Sequence, residues 1–166
     1  MVGDFKSYLP YIKWTPIVIF LCLCFYAVYR KIQDKKLLKT VTKPNRGTRT
    51  ERDLVLRLLK YGIPAQAIFH DLYIRKSDGE FSQIDLVVAS KTGIIVFEVK
   101  NYSGWIFGNG KYREWTQVLA YGQEKYRFYN PIMQNNKHVA EIRKKLRQLE
   151  SIRSEEHTSE LQSHHP

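Results

Sequence analysis

The stretch FSQIDLVVASKTGIIVFEVKNY, residues 81–102, decides the fold because it predicts two neighbouring β-strands joined by a tight turn. Each arm is rich in valine and isoleucine, which favour strands, and the tripeptide KTG between the arms is a turn signal. Four side chains interrupt the apolar arms: Gln83, Asp85, Glu98 and Lys100. Buried ionised groups are costly unless they are paired or bind a metal, so the hairpin predicts a site as well as a fold.

The geometry of the hairpin would bring these side chains together. A two-residue turn at residues 91–92 places Asp85 directly opposite Glu98, with their Cβ atoms about 4.5–5.5 Å apart. The same turn places Gln83 opposite Lys100. A three-residue turn that ends in a left-handed glycine would shift the pairing by one residue, so the sequence leaves both registers open.

Two carboxylates at this distance repel each other unless a cation lies between them. A hard divalent ion such as Mg²⁺ suits this position, because it binds through one or two carboxylates and keeps its other sites for water and phosphate. Lys100 would then orient an attacking water or stabilise charge on a phosphorus-bound oxygen. A structural salt bridge is the alternative interpretation, although buried ion pairs seldom stabilise a fold.

The flanking segments complete an α+β fold, or α/β sandwich, over residues 48–152. RTERDLVLRLLKYG, residues 49–62, and the segment 133–149 both carry apolar residues at helical spacing. AIFHDLYIRK, residues 67–76, predicts a strand before the hairpin, and KYREWTQV, residues 111–118, predicts one after it. The order helix, strands, helix predicts a small mixed sheet flanked by helices.

An apolar segment, WTPIVIFLCLCFYAVY, precedes the domain at residues 14–29 and contains no charged residue. Its 16 residues measure about 24 Å as a helix. Starting at Leu9 extends the segment to 21 residues, enough for a hydrocarbon core of about 30 Å. A buried core helix is the alternative, but such helices seldom lack a polar face. Residues 1–30 are therefore predicted to hold one transmembrane helix, at about residues 14–30.

The basic residues around this segment are distributed unevenly. Two precede it, Lys6 and Lys13, and six follow it: Arg30, Lys31, Lys35, Lys36, Lys39 and Lys43. Because basic flanks stay inside, we expect a single-pass signal-anchor in the cell membrane, with the N-terminus outside and the domain in the cytoplasm. The basic segment 31–47 is predicted to be a linker between the helix and the domain.

The bulk composition limits the kinds of binding partner and of metal site that the chain can have. The chain has 166 residues and 27 basic against 16 acidic residues, which gives a formal charge of +11. Such a charge attracts nucleic acid and anionic lipid alike. The two cysteines, Cys22 and Cys24, lie in the apolar segment, which excludes a disulfide scaffold and a cysteine-based zinc site.

The hairpin residues resemble the core of the PD-(D/E)xK nuclease superfamily, in which an aspartate is followed by a Glu-x-Lys motif. The closer resemblance is to the nuclease-related domain, NERD, of that superfamily. It rests on the segments QIDLVV, GIIVFEVKNYSG and YNPIMQNNKHV and on Trp115, and it covers roughly residues 47–149. Glu51 matches the family's N-terminal glutamate, although Thr50 stands where the family usually has a second glycine. The resemblance implies a restriction-endonuclease-like core.

The same resemblance implies a metal-dependent nuclease and a role for each residue of the hairpin. Asp85 and Glu98 would hold Mg²⁺ or Mn²⁺, and the carbonyl of Val99 would add a ligand. Lys100 would serve the attacking water. Gln83 would contact a phosphate or the lysine.

The resemblance also draws attention to residues outside the hairpin. Glu51 would reach the metal or its water from the first helix; an ordinary glutamate in a first helical turn, favoured there by the helix dipole, is the alternative. Three further residues fit the family pattern without a clear role: Asn130, Gln134 and His138. For His138 we expect a helix-surface histidine.

The C-terminal segment RSEEHTSELQSHHP, residues 153–166, differs from everything before it. It has no apolar periodicity, and it carries three glutamates after a strongly basic helix. RSEEHTSELQS resembles the translation of a common sequencing-library adapter. We therefore expect a non-native tail, a natural sequence cut off near Ile152, and a domain truncated at its C-terminus.

Two classes of function follow from these observations. The first is a membrane-anchored nuclease that cleaves phosphodiester bonds at the cytoplasmic face, with DNA favoured over RNA. The second is a non-catalytic, membrane-tethered module that binds nucleic acid or a protein through the same fold. The complete set of Asp85, Glu98 and Lys100 favours the enzyme, because a binding module does not need all three.

Overall fold

The computed structural model describes residues 5–76 and 78–162, with side chains described for residues 14–76 and 78–149. The described part of the chain contains helices α1 (Phe5–Leu38), α2 (Arg49–Lys60) and α3 (Pro131–Gln162). Its strands are β1 (Ile68–Arg75), β2 (Phe81–Ser90), β3 (Gly93–Phe97), β4 (Trp105–Phe107), β5 (Glu114–Leu119) and β6 (Glu124–Tyr129). The predicted α+β class is confirmed. The strands form two three-stranded antiparallel sheets, β1-β2-β3 and β4-β5-β6, where we expected one mixed sheet.

Helix α1 contains the predicted apolar segment and is much longer than it. The helix has 34 residues, which corresponds to about 51 Å. Its portion Trp14–Leu38 has a mean hydropathy of 1.6 and no buried residue in its most apolar window. Large side chains such as Phe20 and Phe25 are exposed along it. By length and composition, α1 could therefore serve as a membrane anchor.

The structure differs from the predicted linker at residues 31–47. Helix α1 continues without a break to Leu38, and its last turns lie against α2, where Lys60 Nζ is 2.7 Å from Asp34 Oδ2. Leu38 and Val41 pack against the buried core around Val55. The segment after the apolar helix is thus part of the folded domain.

The hairpin at the centre of the first sheet has the two-residue turn. Ser90 pairs with Gly93, and the ladder continues to the pair Leu86–Phe97. Strand β3 ends at Phe97, so Glu98 and the residues after it leave the ladder. The register predicted by the shorter turn is confirmed as far as the strands extend.

Strands β1 and β2 are interrupted at a pair of aspartates. The ladder has the same register on both sides of a gap at Asp71 and Asp85. Asp71 has a φ of 54°, a left-handed conformation that takes β1 out of the extended geometry. On one side of the gap, Leu86 packs in the core cluster of α2. On the other side, Ile84 packs with Ile142 of α3. The interruption therefore places Asp85 between the two cores.

The second sheet is attached to the start of α3 through Asn130. The Asn130 amide donates to three backbone carbonyls of the segment before β5, those of Asn109, Gly110 and Tyr112. Its Oδ1 accepts from the backbone N–H groups of Ile132 and Met133, which caps the helix. A fully buried side chain with five partners fixes the helix relative to the sheet.

Helix α3 extends beyond the predicted end of the domain. It continues through Gln162, so residues 153–162 of the predicted tail lie in this helix. Residues 163–166 of that tail, and residues 1–4 of the N-terminal segment, lie outside the described residues.

Candidate active site

Glu98 follows the end of β3, and its carboxylate lies between the side chains of Lys100 and His138. Lys100 Nζ is 2.7 Å from Oε1, and His138 Nε2 of α3 is 3.3 Å from Oε2. The Glu98 side chain is 4% exposed, whereas that of Lys100 is 31% exposed. The lysine therefore forms the side of this contact that faces solvent.

The charges of these groups stabilise one another. Burial by itself would raise the pKa of Glu98, but His138 and the hydrogen-bonding Lys100 outweigh burial, and the pKa is lowered. Burial would likewise lower the pKa of Lys100, but the hydrogen bond and charge of Glu98 raise it above its ordinary value. Both groups are therefore ionised near neutral pH.

Asp85 lies beside this contact, and its pKa is shifted in the opposite direction from that of Glu98. Its Oδ2 accepts a hydrogen bond of 2.7 Å from the backbone N–H of Val99. Burial raises the pKa of Asp85, the Val99 bond opposes the rise, and the charges of Glu98 and Glu51 add to it. The net rise therefore reflects burial first and the negative charges of two neighbouring carboxylates second.

Glu51 reaches this place from the first turn of α2. The Thr48 hydroxyl donates to Glu51 Oε1 at 2.6 Å, and the Glu51 backbone N–H donates to Thr48 Oγ1 at 3.3 Å, which together form a helix-capping pair. Glu51 Oε2 is 3.5 Å from His70 Nε2, and His70 Nδ1 shares a hydrogen bond of 2.7 Å with Thr42 Oγ1. Glu51 is thus a buried side chain, and not the exposed first-turn glutamate of the alternative interpretation.

Gly47 permits this arrangement because a larger residue would not fit. Its φ of 63° lies in the left-handed region. A Cβ atom at this position would lie 2.5 Å from the His70 ring and 2.6 Å from Glu51 Oε2. The glycine lets the chain pass directly over the glutamate and histidine pair.

Gln83 has a different partner from the one that the hairpin geometry suggested. Its amide donates to Asp71 Oδ1 at 2.7 Å, and Arg46 Nε contacts Asp71 Oδ2 at 2.6 Å. Arg46 Nη2 also donates to the Asp71 carbonyl at 2.6 Å. These contacts hold Asp71 in its left-handed conformation, and they direct the Gln83 amide to Asp71.

His138 is the residue that the sequence interpretation placed wrongly. It is buried, its Nδ1 is 3.3 Å from Ser82 Oγ, and its Nε2 faces Glu98. The signal was available, because His138 lies one helical turn before the buried Ile142 and so shares its face. Of the other positions in the family pattern, Asn130 has the structural role described above, and Gln134 follows it in the first turn of α3, where its backbone N–H donates to the Asn130 carbonyl.

The donor set suits a hard divalent ion in type. Asp85 and Glu98 offer carboxylate oxygens, the ligands that Mg²⁺ prefers, and Mg²⁺ commonly binds through one or two carboxylates and water. Glu98 Oε2 and Glu51 Oε2 are buried acceptors without a hydrogen-bond partner, which is the condition that a bound cation would relieve. In the residues that the structure describes, no group of three or more His, Cys, Asp or Glu side chains is arranged to hold a metal.

An α+β fold with an aspartate and a Glu-x-Lys motif at the end of one hairpin is the arrangement expected of a nuclease-related protein. The family comparison agrees: the chain belongs to the nuclease-related domain (NERD) family, whose model matches residues 33–162. The match begins inside the segment that was predicted as a linker and that packs on the domain.

A relative has also been found among known proteins. The chain is similar to an uncharacterized protein of Bacillus anthracis, with 39% identity over 90 residues that cover 54% of this chain. The aligned region covers 42% of that protein, so the chain spans less than half of its length. No solved structure matches the chain.

Proposed function

We propose that this protein is a membrane-anchored, metal-dependent nuclease that cleaves phosphodiester bonds of DNA, or of RNA, at the cytoplasmic face of the cell membrane. The observation that carries the proposal is the contact of Glu98 with Lys100 beside Asp85, at the solvent-facing end of a buried hairpin. A structural ion pair would not need Asp85 as a third charged group, whose pKa is raised by burial and by the negative charge of Glu98.

The residues have distinct tasks in this proposal. Asp85 and Glu98 would hold Mg²⁺ or Mn²⁺, and the Val99 carbonyl would add a ligand. When bound, the ion supplies a Lewis acid and lowers the pKa of water. Lys100, fixed by Glu98, orients the attacking water or stabilises negative charge that develops on the phosphate. Glu51 adds negative charge from the α2 side, as a partner of the metal or of its water.

Gln83 is assigned a more remote task than its neighbours. Its amide is held by Asp71, and the role of contacting a phosphate or the lysine would require that bond to break. We propose instead that Gln83 supports Asp85 through the rigid segment around Asp71.

The location follows from α1 and from the distribution of lysine and arginine. Six basic residues follow the apolar segment and two precede it, which favours a cytoplasmic domain and an external N-terminus. A reporter enzyme fused to the C-terminus should be active only in the cytoplasm. Moving the six basic residues to the other flank should weaken or invert the orientation, and external activity of the unaltered fusion would contradict it.

A non-catalytic binding module is the second candidate, and one observation favours it. Glu98 already contacts Lys100 and His138, so a metal would have to compete with them for its carboxylate. In such a module the same cluster would maintain the shape of the hairpin. The family description, nuclease-related, fits both candidates.

A nucleic-acid cleavage assay of the full chain in detergent, with Mg²⁺ or Mn²⁺, distinguishes the nuclease from the binding module. Lys100→Ala should lower the rate by about 10²–10³-fold, the scale for losing one electrostatic stabiliser. Affinity for nucleic acid should hardly change, because many exposed cations supply that salt-sensitive attraction. Lys91→Ala, a change in the exposed turn of the same hairpin, is the matched control and should leave the rate unchanged. Full activity of Lys100→Ala would remove the catalytic assignment.

A further inference from the structure

The second sheet differs on its two faces. On one face Phe128 packs against Tyr102, with ring centroids 4.2 Å apart, and against Trp115, at 6.3 Å. The opposite face carries Trp105 and Phe107, whose side chains are 62% and 55% exposed. One face is therefore covered by its own aromatic cluster, and the other presents aromatic rings to solvent.

The pairing of the strands places cations in line with the exposed rings. Trp105 pairs with Val118, which pairs with Lys125, and Phe107 pairs through Thr116 with Arg127. Directly opposed residues in antiparallel strands project from the same face. Lys125 and Arg127 are both exposed. We call the surface formed by Trp105, Phe107, Lys125 and Arg127 the aromatic-basic face.

From this geometry we infer that the aromatic-basic face binds single-stranded nucleic acid, with bases stacked on Trp105 and Phe107 and phosphates contacting Lys125 and Arg127. The choice of partner rests on the proposed nuclease function, and the inference adds a surface and a strand preference to it. Sheet faces that bind single strands combine exposed aromatic rings with cations in this way, because every base has a face that can stack.

The chemistry of the face discriminates between partners. Bases inside a duplex are already stacked on each other, so a flat ring on a sheet can reach only unpaired bases. An apolar protein surface would have to desolvate Lys125 and Arg127, whereas phosphates neutralise them. Arg127 has an acidic neighbour, Glu114, at 3.8 Å, but both side chains are more than half exposed and such pairs are weak.

The face is also close to the candidate active site along the chain. Trp105 lies five positions after Lys100, so their Cα atoms are at most about 18 Å apart. The intervening Tyr102 is held against Phe128, and Ser103 accepts a hydrogen bond from the Gln117 amide. A strand stacked on Trp105 would therefore need only a few further nucleotides to reach Lys100.

Binding of a labelled oligo(dT) to the full chain in detergent, with EDTA present, tests the inference without any cleavage. Trp105→Ala and Phe107→Ala should each weaken binding by about 5- to 100-fold, the range for losing one stacked base. Trp105→Phe should retain most of the affinity. Tyr126→Ala is the matched control, because Tyr126 is an exposed aromatic residue on the other face of the same sheet, and it should bind as the wild type does.

The cations and the duplex give two further measurements. Lys125→Ala and Arg127→Ala should each reduce the slope of log affinity against log salt by about 0.7, as expected for one phosphate contact on a single strand. A duplex of the same length should bind without sensitivity to Trp105→Ala. Sensitivity of the duplex equal to that of oligo(dT) would overturn the strand preference.

Three outcomes would overturn the binding surface itself. They are unchanged oligo(dT) affinity in Trp105→Ala, an equal loss in Tyr126→Ala, and a shift in the sedimentation of the protein caused by Trp105→Ala, which would make the face a contact between copies of this chain. The inference and the proposed function can fail separately. If binding depends on Trp105 but no cleavage is detected, only the proposed nuclease function is contradicted. If cleavage is detected but binding does not depend on Trp105, only the proposed binding surface is contradicted.

Discussion

Two buried histidine–glutamate pairs lie on either side of Asp85, and they differ in what surrounds them. On the α2 side, His70 is 3.5 Å from Glu51; on the α3 side, His138 is 3.3 Å from Glu98. In neither pair do the facing atoms meet hydrogen-bond geometry. The pairs look equivalent until their other contacts are compared.

The α2 pair is enclosed by its neighbours, whereas the α3 pair contacts a partly exposed lysine; we call them the closed pair and the open pair. Thr48 occupies the second oxygen of Glu51, Thr42 holds the other nitrogen of His70, and the chain passes over both at Gly47. The second oxygen of Glu98 instead contacts Lys100, which is partly exposed. The difference teaches that the same pair of residue types can be enclosed as a support on one side of Asp85 and can contact a partly exposed lysine on the other.

Removing the closed pair should have the largest effect on stability. His70→Ala empties a fully buried position and leaves Thr42 and Glu51 without a partner, so we expect a loss of about 3 kcal/mol in the free energy of unfolding. Denaturant unfolding of the full chain in detergent measures it. Thr42→Val removes only the hydrogen bond and should cost about 1 kcal/mol. A His70→Ala loss no larger than that of Thr42→Val would mean that the pair is not a support.

Stabilisation of the fold by a divalent ion should depend on Asp85, which lies between the two pairs. A ligand that binds only the folded state at 100 times its Kd adds about 2.7 kcal/mol, so Mg²⁺ or Mn²⁺ should raise the wild-type melting temperature. Asp85→Asn should abolish this gain while remaining folded. Without metal it should be equally or slightly more stable, because it removes a carboxylate whose pKa is raised by burial and by two neighbouring carboxylates.

The matched control is Asp53→Asn, which changes an exposed aspartate of α2 and should keep the full response to metal. A wild-type melting curve that does not move at millimolar Mg²⁺ and Mn²⁺ would make the carboxylates a structural cluster. It would also mean that the α3 pair, like the α2 pair, only stabilises the fold.

Sequence reasoning identified the α3 side better than the α2 side, for a physical reason. Alternation along a strand and a two-residue turn are local properties, so the approach of Asp85 to the end of β3 could be predicted from the hairpin alone. The two-residue spacing of Glu98 and Lys100, with Val99 between them, is equally local. Only the end of the strand at Phe97, which frees Glu98 to turn toward α3, was not visible in the sequence.

The α2 side depends on contacts between distant segments. In a regular strand His70 would share a face with Ile68 and Leu72, which indicates a buried position. Nothing in the local sequence shows that Thr42 and Glu51 contact it there. The left-handed Asp71, which sends Gln83 away from Lys100, also arises from a distant contact, that with Arg46. The linker prediction failed to foresee this packing because a basic, proline-containing segment has the composition of a linker.

Breaking the open pair should cost less stability than breaking the closed one. His138→Ala removes a buried ring and one of the two side chains that contact Glu98, but Lys100 continues to neutralise the carboxylate. We therefore expect a loss of about 1–2 kcal/mol, about half of that for His70→Ala. Unfolding of both variants under the same conditions makes the comparison. Equal losses would contradict the distinction between the two pairs.

The smallest effect should be a dependence of stability on pH that comes from the closed pair. Burial lowers the pKa of His70 from its ordinary value of 6.5, and Glu51 and Asp71 only partly oppose the shift. The unfolded chain therefore takes up a proton at His70 near pH 6.5, whereas the folded chain takes it up at lower pH. Because the unfolded state binds more protons between those two values, the free energy of unfolding should fall as the pH drops through that window.

The other groups with shifted pKa values do not produce the same decrease in stability over this pH range. The raised pKa of Asp85 gives the opposite sign, since stability there falls as the pH rises from 3.8 to its folded value, and the lowered pKa of Glu98 acts below 4.5. Lys100 titrates above 10.5. Melting temperatures from pH 7.5 down to about pH 5 should therefore decline in the wild type and stay flatter in His70→Gln, which cannot take up the proton. A wild-type curve as flat as that of His70→Gln would show that His70 is as easily protonated in the fold as in the unfolded chain, and it would contradict the protection of this histidine within the closed pair.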